Sequence, residues 1–225
     1  MLLNIPGSRH WPCDFCDEFS GGTANAYTAR FGTSSRRLLH FGALRVLPSL
    51  GQLTEGHLLV VPVPHYCAVA DLPDELLIRL EELKGHIRTT LKSTYGECVF
   101  FEHGIRGTQS GGCGISHAHL HAVPAKADRV LEHLRDKFQG SAIQKLREVT
   151  TKIPRESPYL FFENSIHEQY VFPVKNVPSQ FLRQLVGKEI GNYQWDWRKK
   201  RYEPEIGLAL QRISPLLAYL ADLGG

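Results

Sequence analysis

The chain has 225 residues, 42% hydrophobic and 22% charged, a composition that excludes disorder and leaves room for a sizeable core. A formal net charge of +3 suits phosphate-bearing ligands but falls short of a nucleic-acid-binding signature. No apolar run reaches bilayer-spanning length and Met1-Leu2-Leu3-Asn4-Ile5-Pro6 is too short and uncharged for a secretory signal, so the expected location is the cytoplasm, away from membranes.

The five cysteines, Cys13, Cys16, Cys67, Cys98 and Cys113, are odd in number and scattered, which argues against a disulfide framework. Only Cys13 and Cys16 have a chemically meaningful spacing. On its own a Cys-x-x-Cys pair is half a zinc site, a redox pair or two buried thiols. Pro12 before it and Phe19-Ser20-Gly21-Gly22-Thr23 after it do not supply the strand and helix of a thioredoxin-like motif.

In chain order, residues 37–47 read as a strand closed by Pro48, and 57–63 as a second strand whose apolar run implies burial on both faces. Leu76, Leu77, Leu80, Leu83, Ile87 and Leu91 recur at helical spacing over 73–94, with Pro73 at the start and Gly96 at the stop. A strand at 98–102 leads into Gly104–Gly114, which carries five glycines and can bring backbone amides close to an anion. A further strand covers 116–123. This order predicts an α+β fold, an antiparallel half-barrel sheet backed by a long helix. Beyond Pro124 a polar helix at 126–139, strands at 159–163 and 169–174 joined by a hairpin turn, and helices at 179–190 and 204–223 are expected. Residues 1–125 would form the catalytic domain, and 126–225 an α/β C-terminal extension packed on the same core.

The last of the early strands contains His117, His119 and His121. Alternation along a strand projects them to one face while Ala118, Leu120 and Ala122 face the other. Imidazole is a nucleophile, a proton carrier and a metal ligand, so such a row can divide several tasks. A half-buried strand with a polar face is the bland alternative, disfavoured because three of only eleven histidines fall within five residues beside a glycine-rich approach.

The run Ser116-His117-Ala118-His119-Leu120-His121-Ala122-Val123-Pro124 resembles the signature of the histidine-triad (HIT) superfamily, which includes nucleotide hydrolases and galactose-1-phosphate uridylyltransferases. Cys13-Asp14-Phe15-Cys16, Gly56-His57-Leu58-Leu59-Val60-Val61-Pro62-Val63-Pro64-His65 and Phe101-Glu102-His103-Gly104 occur in the order and rough spacing of its zinc-containing members. The resemblance spans about residues 10–125. It implies a structural zinc ion held by Cys13, Cys16, His65 and His117, and makes His119 the nucleophile that attacks the α-phosphorus of a nucleotide or nucleotide conjugate. His121 would stabilise the phosphate or leaving group. Histidine at this last position tilts the outcome to hydrolysis, since the uridylyltransferases have glutamine there. The alternatives are transfer of the nucleoside monophosphate to phosphate or a sugar phosphate, and a nucleotide- or RNA-associated binding module without turnover. Many relatives dimerise, which brings a homodimer into consideration.

The phosphate would meet Ser110, Gly111, Gly112, Gly114 and Ser116 of the glycine loop, with Arg106, Glu102 and His103 as further polar contacts. The chain departs from the family pattern at Glu102-His103-Gly104, where many members have Asn-x-Gly, and at Cys113-Gly114, where Gln-Ser or Gln-Thr is usual. Ser49 and Leu50 stand where an acidic residue often grips ribose. In the tail, Trp195-Asp196-Trp197-Arg198-Lys199-Lys200-Arg201 could stack a base or meet phosphate, but packing tryptophans beside a solvated basic turn are the favoured reading. Phe181, Leu182, Leu185, Val186 and Ile190 read as helix core.

Overall fold

The computed structural model describes residues 13–32, 36, 39–106, 114–200 and 204–221. Among these, helices α1 (Asp14–Ser20) and α2 (Ala26–Phe31) precede strands β1 (Leu39–Phe41), β2 (Leu44–Pro48) and β3 (Leu58–Pro62). Helix α3 (Asp74–Tyr95) and strands β4 (Cys98–Gly104) and β5 (Leu120–Pro124) follow. The C-terminal half adds α4 (Arg129–Lys137), β6 (Ser141–Ile143), α5 (Val149–Lys152), β7 (Tyr159–Glu163), β8 (Gln169–Pro173), α6 (Phe181–Glu189) and α7 (Pro204–Ala221).

The fold is α+β, as expected. Its eight strands form one sheet in the order β1-β2-β3-β5-β4-β7-β8-β6, with every neighbouring pair antiparallel. The sheet continues from β4 directly into β7, so strands of the C-terminal half extend the ladder that the N-terminal half begins. α3 covers one face with Leu77, Leu80, Leu83, Ile87 and Leu91, against Phe100, Leu120, Ala122 and Phe161. On the other face α4 and α6 bring Leu131, Leu134, Leu182 and Val186 onto Val99, Phe101, Val123 and Phe162. Truncating a fully buried leucine of α3 such as Leu83 costs about 2–5 kcal/mol.

The elements differ from the sequence reading in several places. The strand expected over 37–47 is a hairpin of β1 and β2, turning at Gly42-Ala43, because Gly42 takes the positive φ (56°) that a two-residue hairpin demands at its first central position. Helices α1, α2 and α5 and strand β6 carry too little periodicity to be read locally. The triad strand begins only at Leu120, so of the three histidines His121 alone lies on it.

Candidate functional site

Cys13 and Cys16, at the start of α1, meet His65 from the segment after β3 and His117 from the bend before β5, with one donor atom of each lying within 4.8 Å of the others. Cys13 Sγ is 3.3 Å and Cys16 Sγ 3.6 Å from His117 Nδ1, while Cys16 Sγ is 3.2 Å from His65 Nδ1. Tetrahedral zinc with Cys and His ligands would place neighbouring S and N donors about 3.6 Å apart. The His117 ring is aimed correctly, because Nε2 donates to the Pro62 carbonyl at 2.8 Å and leaves the Nδ1 lone pair turned to the thiols. Burial lowers the His117 pKa to about 4, which keeps the ring neutral as a ligand must be. Burial and the adjacent Cys13 push the Cys16 thiol up to about 12, a cost that a cation between the two sulfurs would reverse. The donor set therefore fits a metal.

His119 is fixed through its backbone neighbour. Its Nδ1 donates to the His117 carbonyl at 2.6 Å, which leaves the lone pair on Nε2. Burial is the main cause that lowers its pKa to about 4, the backbone hydrogen bond opposing it and the Arg183 charge adding to it. His119 is thus a neutral imidazole at pH 7, its one proton on Nδ1. Phe15 holds its ring edge-on at 5.7 Å, and the His121 ring lies 5.0 Å away.

His121 belongs to a chain of imidazoles that sequence reasoning passed over. The Leu53 backbone N–H donates to His57 Nδ1 at 3.3 Å, and His57 Nε2 lies 2.9 Å from His121 Nδ1. Burial holds both rings neutral, so each carries one proton. A backbone amide can only donate, so His57 carries its proton on Nε2 and donates that N–H as a hydrogen bond to His121 Nδ1, which places the His121 proton on Nε2. Phe101 stacks on His121 at 4.4 Å and 15°, locking the ring plane. The signal for His57 was present in the sequence, as a polar residue at the head of a wholly apolar strand. Leu59 pairs with His121 across the ladder, so His57, two residues away, is a diagonal neighbour on the same face.

His103, His119 and His121 line one pocket. Phe15, Leu50, Leu59, Phe101 and Ile115 supply apolar wall, together with Arg36, Ser49 and four residues of the C-terminal half, Gln180, Leu182, Arg183 and Trp197. His103 Nδ1 is buried and has no hydrogen-bond partner among the described residues, and burial lowers its pKa to about 4. Arg36 is held by Glu18 through Nε at 3.0 Å and Nη2 at 2.9 Å.

The structure does not bring Glu102 or Arg106 to this pocket. Alternation along β4 sends Glu102 to the α3 face, where its carboxylate accepts from the Val69 N–H at 2.7 Å and the Tyr159 hydroxyl at 2.5 Å. Arg106 Nε donates to Asp71 Oδ1 at 2.7 Å near the same network. Gly114 and Ser116 are exposed on the approach to the triad. Ser110, Gly111, Gly112 and Cys113 lie outside the described residues.

The tail tryptophans and α6 pack as expected, and Trp197, Gln180, Leu182 and Arg183 of these segments also line the pocket. Arg183 Nε donates to the Trp195 carbonyl at 3.1 Å and Nη1 to Ser49 Oγ at 3.2 Å, and Nη2 bonds the Gly51 carbonyl. The Trp197 backbone passes so close to Gly51 (φ 64°) that a Cβ there would lie 2.5 Å from Trp197 Cα. Local sequence pattern carries no record of a contact between residues this far apart.

Residues 43–139 match a family model described as "Protein similar to CwfJ C-terminal". CWF19-like protein 1 of Pongo abelii is 27% identical over 177 residues, covering 72% of this chain and 31% of that protein. Among solved structures, a HIT family protein from Bacillus anthracis aligns over 50% of this chain and 72% of its own, at a TM-score of 0.40 and 20% identity. A hypothetical histidine triad nucleotide-binding protein from Sulfolobus tokodaii aligns over 92% of this chain and 93% of its own, at a TM-score of 0.42 and 13% identity. No described helix is long and apolar enough to cross a membrane. The chain spans about a third of the length of the curated relatives it matches.

Proposed function

We propose that the chain is a nucleotide-handling enzyme that forms a covalent nucleotidyl-histidine on His119. The carrying observation is the pair of fixed tautomers: a lone pair on His119 Nε2 and an N–H on His121 Nε2, both rings lining one pocket. In the first step His119 Nε2 attacks the α-phosphorus and the bond to the leaving group breaks with its electron pair. The leaving group departs as an oxyanion, which the His121 Nε2 N–H stabilises by donating a hydrogen bond while keeping its proton. In the second step water or another acceptor attacks the phosphorus, the P–N bond breaks with its electron pair returning to His119 Nε2, and the acceptor's proton passes to solvent. Hydrolysis is the favoured outcome, with transfer to phosphate or a sugar phosphate as the variant in which another acceptor replaces water.

Cys13, Cys16, His65 and His117 would hold a zinc ion. When bound, the ion supplies structural cross-linking of α1 to the segments flanking β3 and β5, closed to substrate by its four protein ligands. His117 is thereby held while its carbonyl positions His119.

Intact-protein mass spectrometry after incubation with a panel of nucleotides, dinucleoside polyphosphates and nucleotide sugars tests this reading. A nucleoside-monophosphate adduct is expected on the wild type and absent from His119→Ala. No adduct and no turnover across the panel would overturn it and leave a binding module. Disappearance of the adduct in water alone, compared with added phosphate or sugar phosphate, separates hydrolysis from transfer.

A further inference from the structure

The pocket has a second wall, built by the C-terminal half and unused by the chemistry above. Gln180, which opens α6, is buried yet adopts a left-handed backbone (φ 59°, ψ 24°), an uncommon and strained conformation for a residue other than glycine. Its amide accepts from the Trp197 N–H at 3.2 Å and donates to Asp196 Oδ1 at 2.8 Å, so the strain is spent on fixing the 196–197 backbone at the pocket. Arg30 Nη2 ties the Trp197 carbonyl at 2.7 Å. The wall is a preorganised surface, held by hydrogen bonds from elements far apart in the chain.

Its outer end carries a cation. The Arg198 side chain is exposed, forms no ion pair among the described residues, and lies with its guanidinium 5.5 Å from the Trp197 ring centre. A Cβ on Gly114 would sit 2.7 Å from Arg198 Nη2 and 3.5 Å from Trp197 Nε1. Gly114 adjoins Ile115, and Ile115 and Trp197 line the pocket together. The guanidinium therefore stands over Gly114, on the approach to the triad and beside Trp197 of the pocket wall.

We propose that Arg198, positioned by Trp197, binds an anionic group carried on the leaving side of the substrate, beyond the phosphoryl group that His119 attacks. A planar guanidinium recognises a phosphoryl group by paired N–H donors, and an amine or neutral alcohol offers it nothing comparable. The ligand is thus a nucleotide with at least a second phosphoryl group. This inference rests on the assignment of His119 as the attacking residue, which fixes which phosphoryl group counts as the first.

The test measures binding in a protein that cannot react, so that failure of the covalent step does not disturb it. In His119→Asn, the affinities of nucleoside mono- and diphosphates of each base are measured at low and moderate salt. The diphosphate is expected to bind about tenfold more tightly than its monophosphate, with a preference that shrinks as salt rises. Adding Arg198→Ala should reduce the preference to within about twofold while leaving monophosphate affinity unchanged, and Arg198→Lys should recover part of it. Lys199→Ala, which removes a neighbouring exposed charge paired to Asp196 at 3.7 Å, should leave the preference intact. Equal affinity for mono- and diphosphates, an equal loss of both in Arg198→Ala, or the same loss in Lys199→Ala would each overturn the assignment. An absent adduct on the wild type with this preference intact would instead sink the covalent mechanism.

Discussion

Glu102 and His103 are neighbours in the chain and face opposite sides of the sheet, and burial acts on them in opposite directions. On the α3 side, burial raises the Glu102 carboxyl to about 8 although Tyr159 and the Val69 amide both favour its ionised form. On the pocket side burial lowers His103 to about 4. One face of β4 thus retains a proton and the other sheds one, by the same penalty on charge. The pocket face thus presents neutral imidazoles, the form that the proposed attack by His119 needs, while the α3 face holds a buried acid.

The pocket face can be broken most sharply at His119. His119→Ala should lower turnover by at least about 10³-fold, with metal content and thermal melting near wild type, checked by steady-state assay and elemental analysis. Next in size is the metal centre: Cys16→Ser should lose the metal and lower Tm by about 10 °C or more, read by metal analysis and calorimetry, whereas retained metal with unchanged melting would break the assignment. His57→Phe keeps the ring volume but frees the His121 tautomer. Turnover should fall by about 10²-fold with little change in KM, measured by full kinetics.

The two faces also predict opposed pH dependences of stability, which form the smallest effects. Folded Glu102 holds a proton up to about pH 8 that the unfolded chain loses near 4.5, so its contribution to stability falls as pH rises across that window. Glu102→Gln should remove this slope, at most about 1.4 kcal/mol per pH unit, in urea titrations between pH 5 and 8 on the order of one unit apart. His103 has the reverse sign. The unfolded chain binds its proton below about 6.5 and the folded chain only near 4, so stability falls as pH drops through that range. His103→Asn should flatten the acidic limb in the same titrations.

These contrasts also explain what the residues disclosed in advance. The Cys-x-x-Cys pair, the triad and the leucines of α3 are local patterns whose spacing encodes geometry, and the structure gathers Cys13, Cys16, His65 and His117 at one point. Glu102 was grouped with the site by its closeness in sequence, but a strand sends odd and even residues apart, and the side it faces follows from Phe101 on the pocket face. Arg183 was illegible, and Trp197 was weighed for the site only as an alternative, for a different reason. They reach the pocket through contacts to Ser49 and Gly51 that depend on how the whole chain folds back.

The register of β5 has a consequence of its own. Leu59 and Phe101 both pair with His121, from strands on either side, so this strand is clamped between two ladders and has no free edge. A slip of one residue would exchange Leu120 for His121 on every face at once, sending the imidazole among the leucines of α3 and a leucine into the pocket. The difference between a pocket lined by imidazoles and an inert core is therefore counted in one residue of strand register.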